Sequence, residues 1–185
     1  MIDPYIAVAL QTTVRHCVTR SETERNLAHI GNMLDLVCHI CALELPVRLV
    51  ALGEGCIQGF ADEILHLSSA EYTASMAAEI PGPESDYLAG KARQHGIFLI
   101  AQLKEKLPQY PDRFFNTIFI IDPRGQILYK HRKNVVLFVE HSTTPHDVYD
   151  QWVKENGNTL DAFFPVAKTE IGNIGGSVGV EGAFP

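Results

Sequence analysis

Two short runs, Ile97-Phe98-Leu99-Ile100-Ala101 and Thr117-Ile118-Phe119-Ile120-Ile121, are apolar almost without interruption. A strand with one face in water alternates apolar and polar residues, so continuous runs of this length mark strands covered on both faces. The second run leads through Asp122-Pro123-Arg124-Gly125 into Ile127-Leu128-Tyr129. Proline presets φ and glycine permits a positive φ, so these two strands form a hairpin. Residues 5–11 and 47–52 read as two further strands. Between them Ser21-Glu22-Thr23-Glu24 has capping-box spacing, with Ser21 as N-cap and Glu24 reaching back. The helix it opens carries Leu27, Ile30, Leu34, Leu36, Val37 and Ile40 at near-helical spacing, and Pro46 closes the region. A second helix is expected over 84–94, from Pro-Gly-Pro to the C-cap signal at Gly96. Helices interleaved with doubly covered strands imply a layered α/β sheet.

No repeat, low-complexity tract or Pro/Gly/Ser linker divides the 185 residues, so one domain over 1–185 is expected. Fifteen Lys+Arg stand against 22 Asp+Glu, a formal charge of −7. That balance excludes a general nucleic-acid or anionic-membrane binder, which needs a clustered basic surface. The longest apolar stretches reach about half of the ~20 residues that a membrane helix requires. Met1-Ile2-Asp3-Pro4 lacks a basic segment followed by an apolar one, so no signal peptide is expected. Four cysteines in a chain this long do not make a disulfide scaffold. The expectation is a soluble, reduced, cytoplasmic protein.

Three segments carry possible chemistry. Glu54 follows the apolar strand Leu49-Val50-Ala51-Leu52 and precedes Gly55-Cys56-Ile57-Gln58-Gly59-Phe60. A carboxylate at the carboxyl end of a buried strand lies where α/β proteins place active sites, and a raised pKa would make it a base; a solvated loop carboxylate is the plainer alternative. Tyr129-Lys130-His131-Arg132-Lys133-Asn134 follows the hairpin. A lysine there could hold charge developing on an oxyanion, or the segment is a basic strand end facing water. The third runs from Ile171 to Pro185, where a small-residue strand leads into Gly179-Val180-Glu181-Gly182-Ala183-Phe184-Pro185. Glycines there permit a close backbone approach and a sharp turn, or have structural meaning only.

In this order the three segments resemble the carbon–nitrogen hydrolase (nitrilase) superfamily. The stretch from Glu54 to Phe60 is similar to the segment with that family's catalytic glutamate. The strand–turn–strand from Phe115-Asn116-Thr117 to Lys133 is similar to the one that leads to its catalytic lysine. The stretch from Ile171 to Pro185 is similar to its nucleophile strand. Val8-Ala9-Leu10-Gln11, Ile80-Pro81-Gly82-Pro83-Glu84 and Ala101-Gln102-Leu103-Lys104-Glu105 also match. The resemblance implies a four-layer αββα sandwich, here its N-terminal two-thirds or so, with Pro185 expected to end a fragment or a partly traced chain.

It further implies Glu54 as general base, Lys133 as oxyanion stabiliser and a cysteine nucleophile, with no metal or organic cofactor. Glu140, seven residues after Lys133, corresponds to a second glutamate that orients the substrate or the lysine. Val180, through its N–H, and Glu181 are expected beside the substrate. The nucleophile position, counted back from Phe184-Pro185, is Gly179, which has no side chain to attack with. Cys56 lies beside the base rather than on the nucleophile strand. Two function classes follow: a hydrolase of amide, nitrile or carbamoyl compounds with its cysteine position occupied by glycine, or a non-catalytic relative that binds a small ligand or partner. A chain lacking the elements that complete a second sheet is expected to form a homo-oligomer.

The remaining candidates are lesser. Cys38-His39-Ile40-Cys41 has the look of a metal site, but it falls inside the first helix without a second ligand pair, so buried structural thiols are expected. Cys17 has no evident role. His141-Ser142-Thr143-Thr144-Pro145-His146-Asp147 precedes a short helix through Trp152; it could form a lid or an oligomer contact, with a plain surface insertion as the default reading.

Overall fold

A computed structural model describes residues 2–64 and 66–184. Its centre is one five-stranded sheet in the order β1-β2-β3-β4-β5, formed by Ile6–Leu10, Val47–Leu52, Phe98–Lys106, Phe114–Ile121 and Ile127–Arg132. β1, β2 and β3 run parallel, and β3, β4 and β5 antiparallel. The helices are α1 (Thr23–Ile40), α2 (Ala61–Ile64), α3 (Ser69–Ser75), α4 (Pro83–His95), α5 (Tyr149–Asn156) and α6 (Leu160–Phe163). A two-stranded ribbon of β6 (Ala167–Thr169) and β7 (Gly172–Ile174) follows.

The continuous apolar runs are covered on both faces, as their composition requires. On one face Leu27, Ile30 and Leu34 of α1 and Leu88 and Ala92 of α4 bury against Val50, Leu99, Ala101, Phe119 and Ile121. Each such side chain contributes about 1.5–3 kcal/mol when fully removed from water. On the other face Phe98, Ile120 and Tyr129 pack with Ala167 and Ile171, with Leu49, Ile100 and Ile118 partly buried beside them. α4 begins with Pro83 in its first turn and ends on Gly96 at φ 64°, the left-handed cap that glycine adopts without strain.

Four expectations need correction. The cap before α1 lies two residues earlier: a 3-10 turn, Arg20–Glu22, precedes the helix, and Thr19 has the extended cap conformation. Glu22, not Glu24, turns back, accepting the N–H groups of Val18 at 2.6 Å and Thr19 at 3.2 Å. These bonds hold its carboxyl below the usual range, the Val18 contact first. The α1 stripe is also narrower than the pattern suggested, since Leu36 and Ile40 are exposed. Segment 141–147 is no surface insertion: Ser142, Thr143, Thr144 and Pro145 are buried, and the Thr143 N–H donates to the Phe114 carbonyl at 2.7 Å. After Ile171 the described residues pair as a strand only at β7, and Gly179–Ala183 forms a 3-10 turn.

Candidate active site

Glu54 sits two residues beyond β2 and is held by a chain of amides. Its Oε1 accepts from Asn116 Nδ2 at 2.7 Å, Asn116 Oδ1 accepts from Gln102 Nε2 at 2.7 Å, and Gln102 Oε1 accepts the Gly55 N–H at 2.8 Å. Gln102 and Asn116 lie on the adjacent strands β3 and β4. The Glu54 side chain is therefore fixed from within the sheet as well as along the chain.

Lys133 follows β5, and its N–H donates to the Asn116 carbonyl at 2.9 Å. Its ammonium is buried, 2.7 and 2.9 Å from the two Glu140 oxygens and 3.4 Å from Glu54 Oε1. The firm pairing is thus with Glu140, and Glu54 is the looser neighbour. Glu140 also accepts the Leu137 N–H at 3.0 Å, which ties the loop carrying it. Burial pushes the Glu140 carboxyl up, but the Leu137 N–H, Lys133 and, from further off, Lys104 outweigh it and hold the group below the usual carboxylate range.

Gly179 opens its turn at φ 53°, a left-handed conformation that a side chain strains. A β-carbon built on it would lie 2.8 Å from Glu54 Oε2 and 3.1 Å from Lys133 Nζ. The position identified from the sequence as the nucleophile's is thus aimed at the two candidate catalytic groups. Val180 follows it, half-buried.

Glu181 is buried, and its carboxylate is engaged inside the protein. It accepts the N–H groups of Asn134 at 2.6 Å and Val178 at 2.8 Å, and His131 Nε2 lies 3.0 Å from its Oε2. Burial raises the Glu181 carboxyl, but His131 and the two N–H groups more than offset this and hold it low. Both ring nitrogens of His131 face acceptors, since Nδ1 lies 3.0 Å from the Phe163 carbonyl. Glu181 thereby fastens the Gly179 turn to the end of β5.

Sequence reasoning missed Asn116, Gln102 and His131 as parts of the site, together with an ion pair beneath it. Lys104 of β3 and Asp62 of α2 lie 2.8 Å apart, at side-chain exposures of 1% and 0%. The available signal was the presence of polar residues inside otherwise apolar strands. Cys56 is fully buried and its thiol is pushed up to about 12 by that burial, so it is held neutral beside the site. Cys38 lies in α1 and Cys41 directly follows it; no cluster of potential metal ligands exists among the described residues. None of the described helices is long and apolar enough to cross a membrane.

A layered α/β sheet with a Glu–Lys–Glu cluster facing a sharp glycine turn defines the class of this protein. The carbon–nitrogen hydrolase family model matches residues 7–185, and the chain belongs to that family. It is 29% identical to nitrilase 1 of Arabidopsis thaliana, over 98% of this chain and 51% of the relative. It is 25% identical to a formamidase of Bacillus cereus, over 71% of this chain and 37% of the relative. The chain therefore spans about half, or less, of these relatives' length. Among solved structures, Saccharomyces cerevisiae Nit3 of the nitrilase superfamily superposes with a TM-score of 0.64 at 18% identity, over 94% of this chain and 56% of the other. A mutant of a Nesterenkonia amidase from the same superfamily gives 0.64 at 17% identity, over all of this chain and 60% of the other. The fold is that superfamily's α/β fold, consistent with its αββα sandwich.

Proposed function

We propose that this chain carries the site of a hydrolase of small amide, nitrile or carbamoyl compounds, with Glu54 as base, Lys133 as oxyanion partner, Glu140 orienting Lys133, and Gly179 at the nucleophile position. The observation that carries the reading is the direction of the Gly179 α-carbon substituent, which ends between Glu54 Oε2 and Lys133 Nζ. In the covalent route Glu54 takes the proton of a cysteine thiol at position 179, the thiolate attacks the substrate carbon, and Lys133 with the Val180 N–H holds the anionic intermediate. Each well-placed donor of this kind is worth about 3–4 kcal/mol. Ammonia or an amine leaves, and water activated by Glu54 releases the acid. Glu181 serves this reading as a positioning residue for the turn, because its oxygens are occupied by internal donors.

As written, the chain has no thiol for that route. The test is the Gly179→Cys variant, assayed for ammonia release from short amides, nitriles and carbamoyl compounds, with mass spectrometry for a covalent adduct. The added β-carbon meets Glu54 Oε2 at 2.8 Å, so that oxygen must shift, and the φ of 53° adds backbone strain; thermal melting therefore verifies that the variant is folded. Turnover with an acyl adduct, lost again on Glu54→Gln, is the expected result. A Gly179→Cys protein that stays folded yet neither turns over nor forms an adduct would overturn the assignment and leave a ligand-binding relative as the better reading.

A further inference from the structure

Resting on that reading of the site, we propose that His131 is a positioning residue held as an imidazolium, whose two N–H groups strut the Gly179 turn against the end of α6. Hydrogen-bond valence decides the protonation. Nδ1 lies 3.0 Å from the Phe163 carbonyl, and Nε2 lies 3.0 and 3.2 Å from the two Glu181 oxygens. A carbonyl only accepts, so Nδ1 carries a hydrogen. A neutral ring then has a bare Nε2, whose lone pair would face a carboxylate at hydrogen-bond distance. The contact therefore needs a second proton between Nε2 and Glu181. The carboxylate already accepts the backbone N–H groups of Asn134 at 2.6 Å and Val178 at 2.8 Å, and such donors favour its ionised form. The second proton thus belongs to the ring. With side-chain exposures of 0% for His131 and 4% for Glu181, the pair is out of reach of bulk solvent.

The other charged and titratable groups around the ring are engaged elsewhere. Lys130 and Arg132, its neighbours on β5, pair with Glu105, and Lys133 pairs with Glu140. The Tyr129 hydroxyl accepts the Gly176 N–H at 3.0 Å. Asp161 of α6 lines the same small cleft as the ring, and Phe164 stacks on it at 5.7 Å between centroids. Glu181 is therefore the one counter-charge in bonding contact with His131 among the described residues. The two bonds of the ring differ in what backs them. The Phe163 carbonyl has a second donor, Asn134 Nδ2 at 2.9 Å, so α6 stays attached without Nδ1. The Nε2 bond is the charge-assisted one, and it holds the carboxylate that fastens the turn. Loss of the second proton leaves a buried carboxylate against a neutral ring, which must then choose between its two acceptors. The turn that sets the Gly179 φ of 53° is held less firmly in that state.

Nitrogen NMR of the isotope-labelled 185-residue chain, from mildly acidic to mildly alkaline pH, reads both ring nitrogens of His131 beside the backbone amides of Gly179, Val180 and Gly182. The expected result is a ring with both nitrogens protonated, and turn amides that shift with the ring's own midpoint wherever it loses a proton. A single protonated nitrogen throughout, or turn amides that ignore the ring's titration, would overturn the proposal. Two variants separate the bonds: His131→Gln places an amide donor near the Nε2 position, and His131→Asn near the Nδ1 position. Both are made in the Gly179→Cys chain, verified as folded by thermal melting, and assayed for ammonia release from short amides. His131→Asn should lower kcat about tenfold further than His131→Gln, the worth of one hydrogen bond to a charged group. Equal losses in the two would show that the ring supports the fold alone and would overturn the positioning role. An inactive Gly179→Cys protein with His131 intact would overturn the hydrolase reading instead, while the ring and turn signals still decide the state of His131.

Discussion

The ion pair beneath the site makes the sharpest demand on stability. Lys104 Nζ and Asp62 Oδ2 are 2.8 Å apart in a part of the protein that water does not reach, and no described group makes a well-aligned hydrogen bond to either. At an effective dielectric constant of ~20 their gross attraction is about 6 kcal/mol. Much of that offsets the cost of taking both charges out of water, several kcal/mol per ion. The net worth of the pair is therefore small, whereas the cost of breaking it is large. Asp62→Asn leaves a buried ammonium, and Lys104→Met a buried carboxylate, without a counter-charge. Each single change should cost about 3–5 kcal/mol. For a chain of this size that corresponds to roughly 6–20 °C in melting temperature, at ~2–4 °C per kcal/mol. The double variant removes both charges and should lose only about 1–3 kcal/mol, from the amide left unpaired. Urea denaturation of the four proteins completes the cycle. Single losses under about 1 kcal/mol, or a double loss equal to their sum, would show that the two charges are not buried together and would refute the reasoning.

Two further outcomes follow from the titrating groups. Glu140 and Glu181 are both held below the usual carboxylate range, so the stability they add is present above an unfolded value of ~4.3 and is lost as pH falls through their folded values. Melting temperature should drop on acidification below about pH 4.3, and less steeply in Glu140→Gln and Glu181→Gln; equal slopes would contradict this. Burial keeps Cys56 protonated up to about 12, so iodoacetamide at mild alkaline pH should modify half-buried Cys38 and Cys41 before Cys56, as read by peptide mapping. Modification of Cys56 at the rate of a free thiol would place it outside the core.

Much of the architecture was legible because local chemistry and tertiary structure agree there. The run 117–121 was apolar on both faces and is buried on both. Pro83 and Gly96 bracket a helix whose ends their backbone preferences dictate. Legibility failed where polar residues are buried by partners distant in sequence. β3 was expected to stop at Ala101, yet it continues to Lys106 because Gln102, Lys104 and Glu105 each find a partner inside. Glu105 alone takes Thr117 at 2.9 Å, Lys130 at 3.0 Å and Arg132 at 2.9 Å, pinning three strands together. A periodicity argument reads those residues as solvent-facing and ends the strand.

The site divides along the same line. Glu54 and Lys133 each stand just past an apolar strand, and the resemblance to the family's lysine and second glutamate singled out Lys133 and Glu140. The role of Glu181 could not be read in this way. Its sequence neighbours place it beside the nucleophile position, which suggests contact with substrate, but its partners His131 and Asn134 come from 47–50 residues earlier. A carboxylate that accepts from two backbone N–H groups and a histidine has little capacity left for a ligand. Its effect on chemistry must then run through geometry: it fixes the turn, the turn fixes the φ of Gly179, and that φ aims the α-carbon substituent at Glu54 Oε2. The arrangement of the site is therefore set as much by Glu181 and His131 as by the groups that would touch substrate. Glu181 is accordingly the residue at which a reading by sequence neighbourhood and a reading by hydrogen bonds diverge most.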